Sequence, residues 1–173
     1  MKGTIALCFK EMIEEKFGEV KWSDILRDAR LPPDTLFIEA EDVVDDVMMK
    51  VVGAACRTLG STPEEAADAF GDYWVNVYSQ KYYPGFYKAH VSARDFILDM
   101  DRLHRIITQS VPNAQPPRFT FEWARPDTLL ISYSSRRHMI DFAVGLLKGV
   151  GRFYREKLSV RKLSEAKIEI KFG

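Results

Sequence analysis

Two groups of residues in this chain of 173 residues have the types and spacing to do chemistry. The first is a single histidine. His104 stands among Phe96, Ile97, Met100, Leu103 and Ile107, and positions 97, 100, 104 and 107 recur at the spacing of one helix face. Arg94, Asp95, Asp101, Arg102 and Arg105 fall mostly on other faces. An ionisable ring is thereby aimed at an apolar interior, where it serves either as a hydrogen-bonded core histidine or as a neutral imidazole ligand. The second group is Tyr133, Ser135 and Arg137. Alternate residues of a strand share one face, so a phenol, a hydroxyl and a guanidinium are expected to point the same way along roughly 13 Å. All three donate hydrogen bonds and one is a fixed cation, which suits one or two carboxylates. The plainer reading of this triplet is a solvated strand face.

These groups need elements to position them. Ile5, Phe9, Met12, Ile13 and Phe17 predict a helix over 1–17, closed by Gly18. Trp22, Ile25 and Leu26 predict a short second helix, stopped by Leu31-Pro32-Pro33. A third is predicted over 42–59, with Val43, Val44, Val47, Val51, Ala54 and Ala55 inside and Gly60 at its end. Thr62-Pro63-Glu64-Glu65 reads as a capping box that opens the next helix. Tyr82-Tyr83-Pro84-Gly85 breaks the chain before the helix of His104, predicted over 92–108. After a proline-containing loop, 112–117, the texture changes. Phe119, Phe121 and Trp123 alternate, as do Leu129, Ile131 and Tyr133, which predicts two strands joined at Arg125-Pro126-Asp127. A helix over 139–157 and a last strand through Ile168, Ile170 and Phe172 complete an α+β plan. About six helices come first, then an antiparallel sheet with one long helix.

Composition narrows the classes. Lys plus Arg and Asp plus Glu both number 25, so there is no basic surplus of the kind nucleic acid demands. Cys8 and Cys56 form no CxxC pair and read as buried thiols. No apolar run reaches the length of a membrane helix, and the charged N-terminal segment is not a signal peptide, so a cytoplasmic location is expected. Asp45-Asp46 and the Asp99/Asp101 pair read as solvated helix faces. His90 and His138 make no HxxxH pair with His104, and GxSxG, P-loop and GxGxxG motifs are lacking, so no enzyme is expected.

Taken together, an interior imidazole, abundant aromatics and an anion clamp meet the needs of a haem held without covalent bonds, there being no Cys-x-x-Cys-His. The chain resembles the haem-nitric oxide/oxygen binding domains, bacterial relatives of the sensor domain of soluble guanylate cyclase. The likeness runs from Met1-Lys2-Gly3 to Lys167-Ile168-Glu169-Ile170. It is carried by Met100-Asp101-Arg102-Leu103-His104, the loop ending at Pro116-Pro117, the YxSxR triplet, and the helix Phe142-Ala143-Val144-Gly145-Leu146-Leu147-Lys148-Gly149. The resemblance implies haem b with His104 as the proximal iron ligand and Tyr133, Ser135 and Arg137 on the propionates. It also implies that Pro117 distorts the porphyrin, with Ile5 packing on the ring and Leu146 near it. A distal helical part, 1–60, and a proximal part, 61–173, are expected to enclose the haem and to shift against each other when the His104 bond is broken.

Members that keep O2 carry a tyrosine five residues after the motif arginine; here that position is Phe142. The other implied distal residues are Phe9 and Trp74, of which only the indole can donate a hydrogen bond. The expected ligands are therefore nitric oxide and CO, with O2 disfavoured. A histidine kinase, a cyclic-dinucleotide enzyme or a fused chemotaxis receptor is the implied output. Two rival readings remain: an O2 sensor using Trp74 as its donor, and a carboxylate-binding module without haem.

Overall fold

Gly3–Phe17 forms α1, and Gly18 ends it at φ 86°, its N–H reaching Glu14 O at 2.9 Å. Helix α2, Glu19–Asp28, buries Trp22, Ile25 and Leu26. Helix α3, Asp45–Leu59, closes on Gly60 in the left-handed conformation that glycine adopts without penalty. This computed structural model describes residues 1–109 and 111–173, and these form two compact units, Met1–Ala66 and Ala67–Gly173. In the first unit Phe9, Ile13, Ile25, Leu26, Met48 and Val51 make the apolar core. Helix α3 starts three residues later than the periodicity predicts, and Val44, expected inside, is 66% exposed. It precedes the first turn, in which Asp45 and Asp46 sit where the helix dipole favours negative charge.

Helix α4, Pro63–Tyr73, opens with the predicted capping box. The Glu65 N–H donates to Thr62 Oγ1 at 3.1 Å and the Thr62 N–H to Glu65 Oε2 at 2.8 Å. The helix then loosens into a π turn, Trp74–Tyr78, before resuming as α5, Ser79–Tyr82. Short α6, Pro84–Lys88, leads to α7, Ala93–Thr108, whose first turn is capped by Ser92 Oγ accepting from the Asp95 N–H at 3.0 Å.

Strands β1, Arg118–Arg125, and β2, Thr128–Ser134, form the predicted hairpin. Helix α8, Ile140–Phe153, follows, then β3, Leu158–Ser164, and β4, Lys167–Phe172. All neighbours in the sheet are antiparallel, in the order β1-β2-β4-β3. The α+β plan holds, with two corrections. Helix α8 ends at Phe153 rather than 157, because Arg155 turns left-handed at φ 57° and the Glu156 N–H closes back on Gly151 O. Strand β3 was not anticipated from the sequence. It forms a hairpin with β4 and takes Leu158 and Val160 into the packing around the core.

Helix α8 lies against α4 almost backbone to backbone. A Cβ on Gly145 would stand 2.1 Å from Ala67 O, and one on Gly71 would stand 2.1 Å from the Gly145 carbonyl carbon. Lys148–Asp68 at 2.7 Å and Arg152–Asp72 at 2.6 Å flank this seam.

Candidate functional site

Helix α7 carries His104 inward by the predicted periodicity, since Ala93, Phe96, Ile97 and Leu103 are buried on the same helix. The imidazole stacks on Phe119 of β1, with ring centroids 5.5 Å apart and planes inclined by 26°. Its Nδ1 is buried and has no hydrogen-bond partner among the described residues. Burial, helped by the Arg118 charge and opposed by Asp101, pulls its pKa from 6.5 to about 4. At neutral pH the ring is therefore uncharged, the form in which imidazole ligates a metal. A polar atom buried without a partner carries a desolvation cost, which coordination by the ring would offset in part.

Two carboxylates on α7 hold this helix in place, and both differ from the solvated faces read from the sequence. Asp101 accepts both arms of the Arg118 guanidinium, at 2.8 and 2.7 Å, and the Phe119 N–H at 3.0 Å. Burial alone would raise its pKa, but these donors lower it. The same contacts anchor the start of β1 and with it the ring on which His104 stacks. Asp99 meets Arg102 at 2.5 Å and His90 Nε2 at 3.0 Å, while His90 Nδ1 lies 2.7 Å from Phe86 O. Helix α7 is thus tied to α6 on one side and to β1 on the other. Sequence reasoning assigns neither Asp101 nor Phe119 a role at the site. The only signal was the position of Asp101 three residues before the histidine.

The triplet Tyr133, Ser135 and Arg137 does not share a strand face. Strand β2 ends at Ser134, so only Tyr133 belongs to it. The cause lies across the ladder. Arg118 pairs with Ser134, and the preceding residues of that partner strand are Pro116 and Pro117. Proline has no N–H to give to a ladder, so pairing stops there. Beyond Ser134 the chain turns, with the Arg137 N–H on Ser135 Oγ at 3.2 Å and His138 at φ 50°. Arg137 nevertheless reaches the proline loop. Extended by three places, the register sets Arg137 opposite Gln115, and Arg137 Nη1 donates to Gln115 O at 2.9 Å. Tyr133 is buried against Phe119, 5.8 Å between centroids, so His104 and Tyr133 meet the same ring. Ser135, Arg137 and Pro117 are half-buried.

Trp74 and Phe142 also share a neighbour. Phe70 lies 6.0 Å from the Trp74 ring and 5.3 Å, edge-on, from Phe142. Leu146, one turn after Phe142 on α8, packs against the core of the second unit. Ile5 and Phe9 lie on α1 of the first unit, Phe9 fully buried and Ile5 partly so. Among the described residues no cluster of three His, Cys, Asp or Glu could hold a bare metal ion, and no helix is long and apolar enough to cross a membrane.

A buried imidazole nitrogen without a partner among the described residues and an arginine-bearing turn suited to carboxylates fit a domain that holds haem. Comparison with known proteins gives the family. The model of the haem-NO-binding family matches residues 2–162, and the chain belongs to that family of haem-binding gas sensors. Soluble guanylate cyclase gcy-35 of Caenorhabditis elegans is 24% identical over 98% of the chain. The chain spans about a quarter of that relative's length, 25%. Among solved structures, a Cs H-NOX mutant bearing 4-cyano-phenylalanine superposes with a TM-score of 0.87 at 24% identity, covering 99% of this chain and 96% of that one. A mutant H-NOX domain of T. tengcongensis gives 0.85 at 24% identity, covering 99% and 97%. An oxygen-binding H-NOX domain in its oxygen complex gives 0.81 at 24% identity, covering 99% and 95%. These likenesses establish the fold.

Proposed function

We propose that the chain senses nitric oxide and CO at a non-covalent haem b and discriminates against O2. His104 is the axial ligand in this reading, and the observation that carries it is the uncharged, partly buried ring whose buried Nδ1 lacks a partner among the described residues. Tyr133, Ser135 and Arg137 take the propionates, charge-assisted at the guanidinium. Pro117, Trp74, Phe142 and Leu146 are the second unit's candidate haem contacts, and Ile5 and Phe9 are the first unit's. Haem, when bound, supplies the ferrous iron to which the gas adds.

Ligand choice follows from what the side chains can donate. O2 on iron carries partial negative charge and is held by a hydrogen-bond donor, whereas nitric oxide and CO need none. Phe70 and Phe142, in edge-on contact, have no donor, which favours a mute pocket, and the Trp74 indole is the one of these side chains that can donate. Signal output is assigned to α7. With haem bound, His104 would tether α7 to the iron in addition to the Asp99 and Asp101 contacts, so that α7 would be a two-state element biased by one ligand. The relay goes to a partner in a cytoplasmic setting: a histidine kinase, a cyclic-dinucleotide enzyme or a fused chemotaxis receptor. Kinship with a guanylate cyclase supports a signalling role of this kind.

The test is the absorption spectrum of the ferrous protein under argon, nitric oxide, CO and air. Five-coordinate nitrosyl haem, a CO adduct and no stable oxy spectrum are expected. A stable oxy spectrum that Trp74→Phe abolishes would establish the O2-sensor reading instead, and a chain that stays colourless with hemin would leave the carboxylate-binding module.

A further inference from the structure

Four aromatic residues at i, i+4 spacing, Phe70, Trp74, Tyr78 and Tyr82, run along α4, the π turn and α5. They form one column. Ring centroids are 6.0 Å apart from Phe70 to Trp74, 5.5 Å from Trp74 to Tyr78 and 5.2 Å from Tyr78 to Tyr82. Tyr78 is buried, 1% exposed, whereas Tyr82 is 48% exposed. The column therefore leads from the residue expected beside the gas to solvent.

Its straightness comes from the irregular turn. With 3.6 residues per turn, an α-helix carries residue i+4 about 40° past residue i, so a long i, i+4 stripe drifts round the helix. A π turn, closed from i to i+5, brings residue i+4 short instead. The π turn falls on Trp74–Tyr78, the middle step of the column, and cancels the drift there. Trp74 and Tyr78 end up stacked, 23° between planes. Indole and phenol are the side chains most readily oxidised by one electron without sulfur, and here one indole is followed by two phenols with no gap wider than ring contact.

We propose that Trp74, Tyr78 and Tyr82 form a conduit that drains oxidising equivalents from the gas site to the surface. The oxidant is hydrogen peroxide acting at the haem, so this inference rests on the haem reading above. In one passage Trp74 gives an electron inward and regains one from Tyr78, and Tyr78 regains one from Tyr82. The inner two rings end unchanged. Tyr82 loses the electron, its phenol sheds a proton to solvent, and a neutral phenoxyl radical remains. A soluble thiol returns a hydrogen atom to Tyr82, and two such thiyl radicals couple to one disulfide. Two passages supply the two electrons that, with two protons from solvent, reduce one peroxide to two waters. The Lys81 ammonium, 5.8 Å over the Tyr78 ring, disfavours positive charge resting there. The function is protection of a site that must survive oxidants in order to sense.

The full haem-loaded chain is treated with one equivalent of peroxide and a nitroso spin trap, and adducts are mapped by mass spectrometry of peptides. Tyr82 should carry the adduct. Trp74→Phe and Tyr78→Phe, which keep a ring in the column, should each cut Tyr82 labelling severalfold and speed haem bleaching severalfold. Undiminished labelling in both variants overturns the conduit. A chain that takes up no haem overturns the haem reading instead, and the column is then tested by pulse radiolysis with azide radicals in a Trp22→Phe, Trp123→Phe background. Indolyl decay matched by phenoxyl growth at a rate independent of protein concentration supports the conduit. Indolyl decay without phenoxyl growth overturns it.

Discussion

The α7–β1 region and the α4–α8 region, both in the second unit, are built on opposite principles. Around His104 the packing is fixed by charge. Asp101 binds Arg118 and the Phe119 N–H, Asp99 binds His90 and Arg102, and the imidazole is left with an unpartnered nitrogen among them. Around Trp74 and Phe142 the packing is fixed by shape, with aromatic rings in contact through Phe70 and a seam of glycines where α8 meets α4. A directional network can present one donor atom to a cofactor. A close-packed apolar wall can reject a ligand that requires a hydrogen bond. Under the proposed function, division of these tasks between two regions would let ligation and selectivity change independently.

That independence can be broken at several points. The largest effect is expected from His104→Ala. It should abolish the iron–histidine bond outright, and added imidazole should restore five-coordinate ferrous haem, read by absorption and resonance Raman spectra. Unchanged ligation would remove the charged region from the comparison. Next is Gly145→Ala, where a methyl group would meet Ala67 O at 2.1 Å. A backbone oxygen cannot swing aside, so a loss of about 3 kcal/mol, the upper part of the overpacking range, is expected in urea unfolding. A neutral effect would show the seam to be looser than the glycines imply.

A loss of similar size is expected in acid for the haem-free chain. His104 titrates near 6.5 when unfolded and at about 4 when folded. Between those values the unfolded state binds the extra proton, so stability is full above about pH 6.5 and falls towards pH 4. At roughly 1.4 kcal/mol per pKa unit the loss approaches about 3 kcal/mol, and His104→Leu should flatten that part of the profile. Equal acid sensitivity in both proteins would place the cause elsewhere. The smallest effect is expected from Phe142→Tyr. One hydrogen bond contributes about 1 kcal/mol, so O2 residence should lengthen severalfold in stopped-flow measurements with CO binding little changed. Equal lengthening for both gases would show that the wall acts by volume and not by polarity.

Much of this arrangement was legible in the sequence. His104 could be placed inward because 97, 100, 104 and 107 repeat with the helix, and the Thr62–Glu65 box was visible because its chemistry is local. The failures share a cause, which is dependence on a partner distant in sequence. The extent of β2 is set by Pro116 and Pro117 across the ladder, so Ser135 and Arg137 could not be placed from their own alternation. Strand β3 carries Arg161 and Lys162 and buries little, and it exists because β4 pairs with it. The clamp role of Asp101 depends on Arg118, seventeen residues on. The end of α8 turns on a left-handed arginine, a conformation that residue type does not announce.

The π turn also bears on how this segment tolerates insertion and deletion. A helix with one wide turn holds one residue more than a regular helix over the same course. Removing any one of residues 74–78 would let the segment relax to ordinary winding with its ends in nearly the same relation, whereas the same deletion in a regular helix would shift them by about 1.5 Å and turn them by about 100° relative to each other. Gaps in alignments with kindred chains should therefore collect within these five positions, where a single-codon deletion can be absorbed as a change of winding and not as a broken helix.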